Sequence, residues 1–108
     1  MISSRAVDGV VVLDLPNAIE SEELQGQVQQ LLSDDQKAIA MNLANISFVE
    51  SSGLGALVAA YKLCDAKGAK VVFFNMQPYV QNLVELTKLN KVLTILGDES
   101  AAVGSLRN

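Results

Sequence analysis

Residues 38–58 read Ala38-Ile39-Ala40-Met41-Asn42-Leu43, then the loop Ala44 to Glu50, then Ser51-Ser52-Gly53-Leu54-Gly55-Ala56-Leu57-Val58. The first six are short and almost wholly apolar, as in a strand covered on both faces, so the stretch predicts a strand central in its sheet. Leu54, Leu57, Val58 and Tyr61 then recur at helical spacing, and Lys67-Gly68 supplies a stop. A buried strand that runs through a loop into a helix is half of a crossover unit, and this decides the fold class.

The flanking sequence repeats the alternation. Ile2 to Ala6 and Val10 to Leu15 surround the turn signal Val7-Asp8-Gly9 and predict a hairpin at a sheet edge. Pro16 and Asn17 end it. Leu24, Val28, Leu31 and Leu32 fall on one face of a helix expected from Glu20 to Ser33. Lys70 to Phe74 predicts a further strand, Pro78 to Thr87 a third helix with proline in its first turn, and Val92 to Leu96 a last strand. Asp98-Glu99-Ser100 opens a C-terminal helix carrying Val103 and Leu106. The expected fold is therefore α/β: a mainly parallel mixed sheet of about four to five strands with an N-terminal antiparallel strand, and four helices. At 108 residues the chain has room for one domain, spanning 1–108.

Composition removes whole classes of function. Twelve acidic residues against eight basic ones give a net charge of −4, a field that repels nucleic-acid phosphates and anionic lipid. The absence of His removes the commonest general base and metal ligand, and Cys64 alone can form neither an internal disulfide nor a multi-cysteine metal site. No GxxxxGK[ST] or GxGxxG loop follows a strand; Gly53-Leu54-Gly55 is only a fragment of such patterns. No metal or cofactor is expected. The acidic clusters Asp34-Asp35 and Glu20, Glu22, Glu23 read as a solvated turn and a helix start. No apolar run reaches signal-peptide or membrane-span character, so a cytoplasmic protein with no membrane insertion is expected.

What remains is the Glu50-Ser51-Ser52-Gly53 junction. A helix start offers unpaired N–H groups and the positive end of the helix dipole, so serines there either cap the helix or carry a phosphate. Gly55, Ala56, Ala59 and Ala60 give the helix a smooth face, which suits either a partner or a neighbouring element.

These residues resemble the STAS domain family, and among its members the single-domain bacterial anti-sigma-factor antagonists. The similarity covers nearly the whole chain and is strongest in Asn42-Leu43-Ala44-Asn45-Ile46-Ser47-Phe48-Val49-Glu50-Ser51-Ser52-Gly53-Leu54-Gly55. The resemblance implies a non-enzymatic switch, and nothing in the sequence pattern demands more than a monomer. Ser51 would be the phosphoacceptor, and the partner an anti-sigma factor that is also a serine kinase, with a serine phosphatase acting on the phosphorylated form. Asn17, Glu50, Ser51, Ser52, Gly53, Gly55, Ala56 and Ala59 are the expected partner-binding residues. Glu50 stands where the family usually has Asp, and Leu15-Pro16-Asn17 where many members have a Leu-Asp pair. The competing expectation is a non-switching scaffold subunit of a transport or signalling complex.

Overall fold

The computed structural model describes residues 1–107. Its strands are β1 (Ser3–Val7), β2 (Val10–Asp14), β3 (Ala38–Asn42), β4 (Lys70–Phe74) and β5 (Thr94–Leu96); its helices are α1 (Ser21–Ser33), α2 (Ser51–Ala66), α3 (Pro78–Leu86) and α4 (Glu99–Leu106). The strands lie side by side in chain order, β1 antiparallel to β2 and every later pair parallel. The expected mixed sheet is present, with five strands and four helices.

The first turn follows from its two residues. Asp8 and Gly9 both have positive φ, +52° and +82°, the requirement of a two-residue hairpin turn whose twist matches its strands. From β2 onward the order never reverses, and right-handed crossovers in one direction put every crossover helix on the same face. Leu24 and Val28 of α1, Leu57 and Ala60 of α2, and Val80 and Val84 of α3 accordingly share a core with Leu13, Ile39, Met41, Val71 and Phe73. The alternate strand residues Val12, Ala40, Val72 and Phe74 face the other way and are covered by Ala102 and Val103 of α4. With both faces covered, β3 is buried as its apolar run predicts.

The ends of β2, β3 and α3 and the start of α1 fall one residue inside the expected ranges, and two further boundaries differ for a definite reason. Leu89–Lys91 forms a 3-10 turn after Lys88, which has φ +65°, so β5 begins at Thr94 and not at Val92. The N–H groups of Val92 and Leu93 are used by that turn, both donating to the Leu89 carbonyl, and cannot join a ladder. Val92 is left exposed. β1 is displaced by one residue, because the turn takes Asp8 and Gly9 alone and leaves Val7 paired with Val10.

Candidate functional site: the β3–α2 loop and the start of α2

The register pairs Asp14 with Asn42 and Asn42 with Phe74, so β2, β3 and β4 end level with one another. The loop leaving β3 therefore starts at a common edge. Leu43, Ile46 and Val49 are buried and pin it to the core, while Ala44, Asn45, Ser47, Phe48 and Glu50 face solvent. Phe48 lies on Tyr79 of α3, ring centroids 4.9 Å apart and planes tilted by 37°, although each ring remains about half exposed. Aromatic pairs are usually buried; this one stands at the surface beside the helix start.

Glu50 is the N-cap residue of α2, with extended backbone, and its side chain makes no capping hydrogen bond. The Leu54 N–H donates to the Glu50 carbonyl at 3.0 Å. Ser51, Ser52 and Gly53 precede that bond as the first three helical residues, where N–H groups have no intrahelical acceptor. This corrects the capping alternative: the serines stand inside the first turn, and the cap position belongs to Glu50. The first turn carries no acidic residue. Both serines are exposed.

A cleft of about 330 Å³ opens beside this turn, between the loop and the segment joining β2 to α1. Asn17, Glu50, Ser52 and Gly53 line it together with Ile19 and Phe48, so these four expected residues share one depression although Asn17 is far from the rest in sequence. Ser51 is exposed without lining it.

The glycines separate into different roles. A β-carbon on Gly53 would meet Val49 Cγ2 at 2.7 Å, so a close approach requires glycine there; Gly55 has open space around it. The smooth helix face is also corrected. Ala56 and Ala60 are buried, at 2% and 0% exposure, and are not available to an outside partner. Both belong to the core instead, and at Ala56 helix α1 comes close enough for Gln25 Nε2 to donate to the Ala56 carbonyl at 3.0 Å. Ala59 is half-buried in a shallow groove with Gln25, Gln29 and Leu63, away from the Ser51 turn. The outward residues at the helix start are Ser51, Ser52 and Gly55.

Sequence reasoning missed the Phe48–Tyr79 pair and the chemistry of Asn42. The signals were present: an aromatic in a polar loop of a chain with few aromatics, and one carboxamide ending an apolar strand. Asn42 Nδ2 donates to Asp14 Oδ1 at 2.8 Å, and Asp14 accepts two further bonds from Arg5, at 2.7 and 3.0 Å. The Arg5 guanidinium holds the Asp14 carboxyl below its ordinary range, and the Asn42 bond adds to that shift. This carboxylate is therefore neutralised by a guanidinium, not offered to a cation. Arg5 also lowers the Glu99 carboxyl, which accepts from it at 2.6 Å. Cys64 is buried within α2, and desolvation pushes its thiol up to about 11, far from a thiolate nucleophile at neutral pH.

The STAS domain model matches residues 2–102, and the chain belongs to that family. It is 28% identical over 102 residues to an anti-sigma F factor antagonist of Paenibacillus polymyxa, covering 91% of this chain and 87% of the relative. Among solved structures, an anti-sigma factor antagonist from Mycobacterium paratuberculosis superposes with a TM-score of 0.86 at 22% identity, over 100% of this chain and 94% of that one. The Bacillus cell fate determinant SpoIIAA in its phosphorylated form matches with a TM-score of 0.74 at 18% identity, over 99% of this chain and 100% of that one. No helix among the described residues is long and apolar enough to cross a membrane.

Proposed function

We propose that this chain is an anti-sigma-factor antagonist working as a phosphorylatable partner switch. Unmodified, it docks on an anti-sigma factor that is also a serine kinase, through Asn17, Glu50, Ser51, Ser52, Gly55 and the Phe48–Tyr79 pair. In the complex the Ser51 hydroxyl attacks the γ-phosphorus of the kinase's ATP. The bond to ADP breaks, and the hydroxyl proton passes to a base of the kinase. The chain supplies the acceptor and no catalysis. A serine phosphatase returns it to the binding form, and the cycle runs in the cytoplasm on a monomer.

The observation that carries this reading is the exposed first turn of α2: hydroxyls beside free N–H groups, no side-chain cap and no acid of its own. Such a turn accommodates phosphate in the free protein, with a dipole contribution of about 0.3 to 1 kcal/mol. In the complex the same phosphate adds about −1.5 to −2 charges beside Glu50, inside an interface that must lose its water. Repulsion and desolvation then release the partner. Incubation with the cognate kinase and ATP, followed by peptide mass spectrometry, is expected to find one phosphate on Ser51. A phosphate confined to Ser52, or no phosphate, defeats the reading.

A further inference from the structure

The β3–α2 loop is fixed at its tip by Phe48 on Tyr79 and at its root by two side-chain amides. The Ala44 N–H donates to Asn42 Oδ1 at 3.0 Å, and the Ala44 carbonyl accepts from Gln77 Nε2 at 2.6 Å. Both backbone groups of the loop's first exposed residue are thus taken by side chains. Asn42 is held in turn: its Oδ1 also accepts from Asn75 Nδ2 at 3.2 Å, while its Nδ2 donates to Asp14. Asn75 has φ +60°, a left-handed conformation that asparagine tolerates better than most residues.

This orientation of the amide is not interchangeable. The acceptor side faces two donors, and the donor side faces a carboxylate locked by Arg5. An apolar residue of equal size would fill the space and hold none of these groups. Strand register brings the groups together, with Asp14 beside Asn42 and Asn42 beside Phe74, the residue before Asn75.

We propose that Asn42 is a positioning residue for Ser51: its carboxamide clamps the root of the β3–α2 loop and so sets where that loop delivers the hydroxyl to a kinase. This rests on the reading of Ser51 as the phosphoacceptor. Phosphoryl transfer depends on alignment of the attacking oxygen, and a displacement of about 1 Å can cost a hundredfold in rate. Docking is spread over Asn17, Tyr79 and the start of α2 as well as the loop, whereas transfer depends on the placement of one oxygen, so a loosened root costs more in the rate of transfer than in docking.

The test compares the wild-type chain, Asn42→Leu, Asn42→Asp, and the exchanged pair Asn42→Asp with Asp14→Asn. Each is phosphorylated by the kinase that modifies the wild type, and each is followed alone by amide exchange. Asn42→Leu is expected to lower kcat by roughly tenfold to a hundredfold with KM unchanged, and to deprotect the Ala44 amide. Asn42→Asp keeps the acceptor for Ala44 but sets two carboxylates against each other, and is expected to be slow. The exchanged pair removes the repulsion between the two carboxylates and gives position 14 a donor toward position 42, at the loss of one Arg5 bond, and is expected to be faster than Asn42→Asp, which a loss of packing alone would not produce. An unchanged kcat in Asn42→Leu overturns the inference, as does an exchanged pair no faster than Asn42→Asp. A wild type left unphosphorylated on Ser51 overturns the functional reading beneath it, an outcome distinct from a phosphorylated wild type whose rate ignores Asn42.

Discussion

Helices α1 and α2 begin in opposite ways. At α1 the Glu20 side chain accepts from the Glu23 N–H at 2.6 Å, and Glu22 and Glu23 add negative charge to the first turn. At α2 the residue in the cap position is again a glutamate and the first helical residue again a serine, yet Glu50 makes no such bond, and Ser52 and Gly53 occupy the positions where α1 has Glu22 and Glu23. One helix start is closed by its own carboxylates. The other has no side-chain cap over its exposed serines, forgoing a contribution that is typically worth about 1 kcal/mol. A turn left open in this way can accept an added anion, whereas a turn already carrying three carboxylates repels one. The contrast supports the proposed site at α2 on grounds independent of any relative.

The largest expected effect comes from adding a full negative side chain to the open turn. Ser51→Glu should weaken binding to the proposed anti-sigma partner by about tenfold to a hundredfold, which is roughly 1.4 to 2.8 kcal/mol, while Ser51→Ala should retain it. Isothermal titration of the three forms reads this directly, and equal affinities would erase the functional difference between the two helix starts. Phe48→Ala should lower affinity in the same assay while leaving the unfolding midpoint close to wild type, since the ring is already about half exposed.

The next effect is on stability. Gly53→Ala brings a β-carbon against Val49 Cγ2, which is on a stiff, β-branched side chain buried under the loop, and should destabilise the chain by about 1 to 3 kcal/mol. Gly55→Ala meets nothing and should stabilise by about 0.5 to 1 kcal/mol through its better helix propensity. Urea denaturation distinguishes them. Opposite signs two residues apart would establish that the tight approach belongs to the loop side of α2, where Val49 anchors the site.

The period of the apolar residues carried most of the fold, because each strand and helix buries a face and the faces are written in Leu, Val, Ile and Phe. It misjudged α2 for a definite reason. Leu54 and Leu57 of the expected stripe are buried, but Val58 and Tyr61 are only partly so, and the buried arc continues through Gly53, Ala56, Ala60 and Cys64, which carry little weight in a hydrophobic pattern. Close approach favours small residues, as where Gln25 of α1 reaches the Ala56 carbonyl and where Gly53 meets Val49, and small residues are weak in a hydrophobic pattern. The start of β5 was obscured similarly, since Val92 has strand character while its N–H closes a 3-10 turn. The Ser51 junction was legible because hydroxyls and glycines cluster there. Asn42 and Tyr79 were not, because Asn42 meets partners 28 to 33 residues away in the chain, and Tyr79 of α3 meets a ring from the β3–α2 loop.

Removing Glu20 and Glu50 separately tests the comparison in the free protein. Glu20→Ala should cost about 0.5 to 2 kcal/mol, because the Glu23 N–H loses its acceptor, whereas Glu50→Ala should fall within about 0.5 kcal/mol of wild type. A comparable loss at both positions would mean that Glu50 caps α2 in solution and that the open turn is not open.

The smallest effect runs in the reverse direction and makes α2 begin more like α1. Ser52→Asp places a carboxylate in the first turn, where the helix dipole and the unpaired N–H groups favour it, and should stabilise the free chain by about 0.3 to 1 kcal/mol at low ionic strength. The gain should shrink as salt is added, because the charge is exposed and screened. Glu50 next door opposes it, so the net value measures whether the open donors outweigh one neighbouring carboxylate. That balance is the one a phosphate on Ser51 must meet in the unbound protein. A destabilised Ser52→Asp would indicate that Glu50 already saturates the positive end of α2, and that the free protein, as well as the complex, resists the modification.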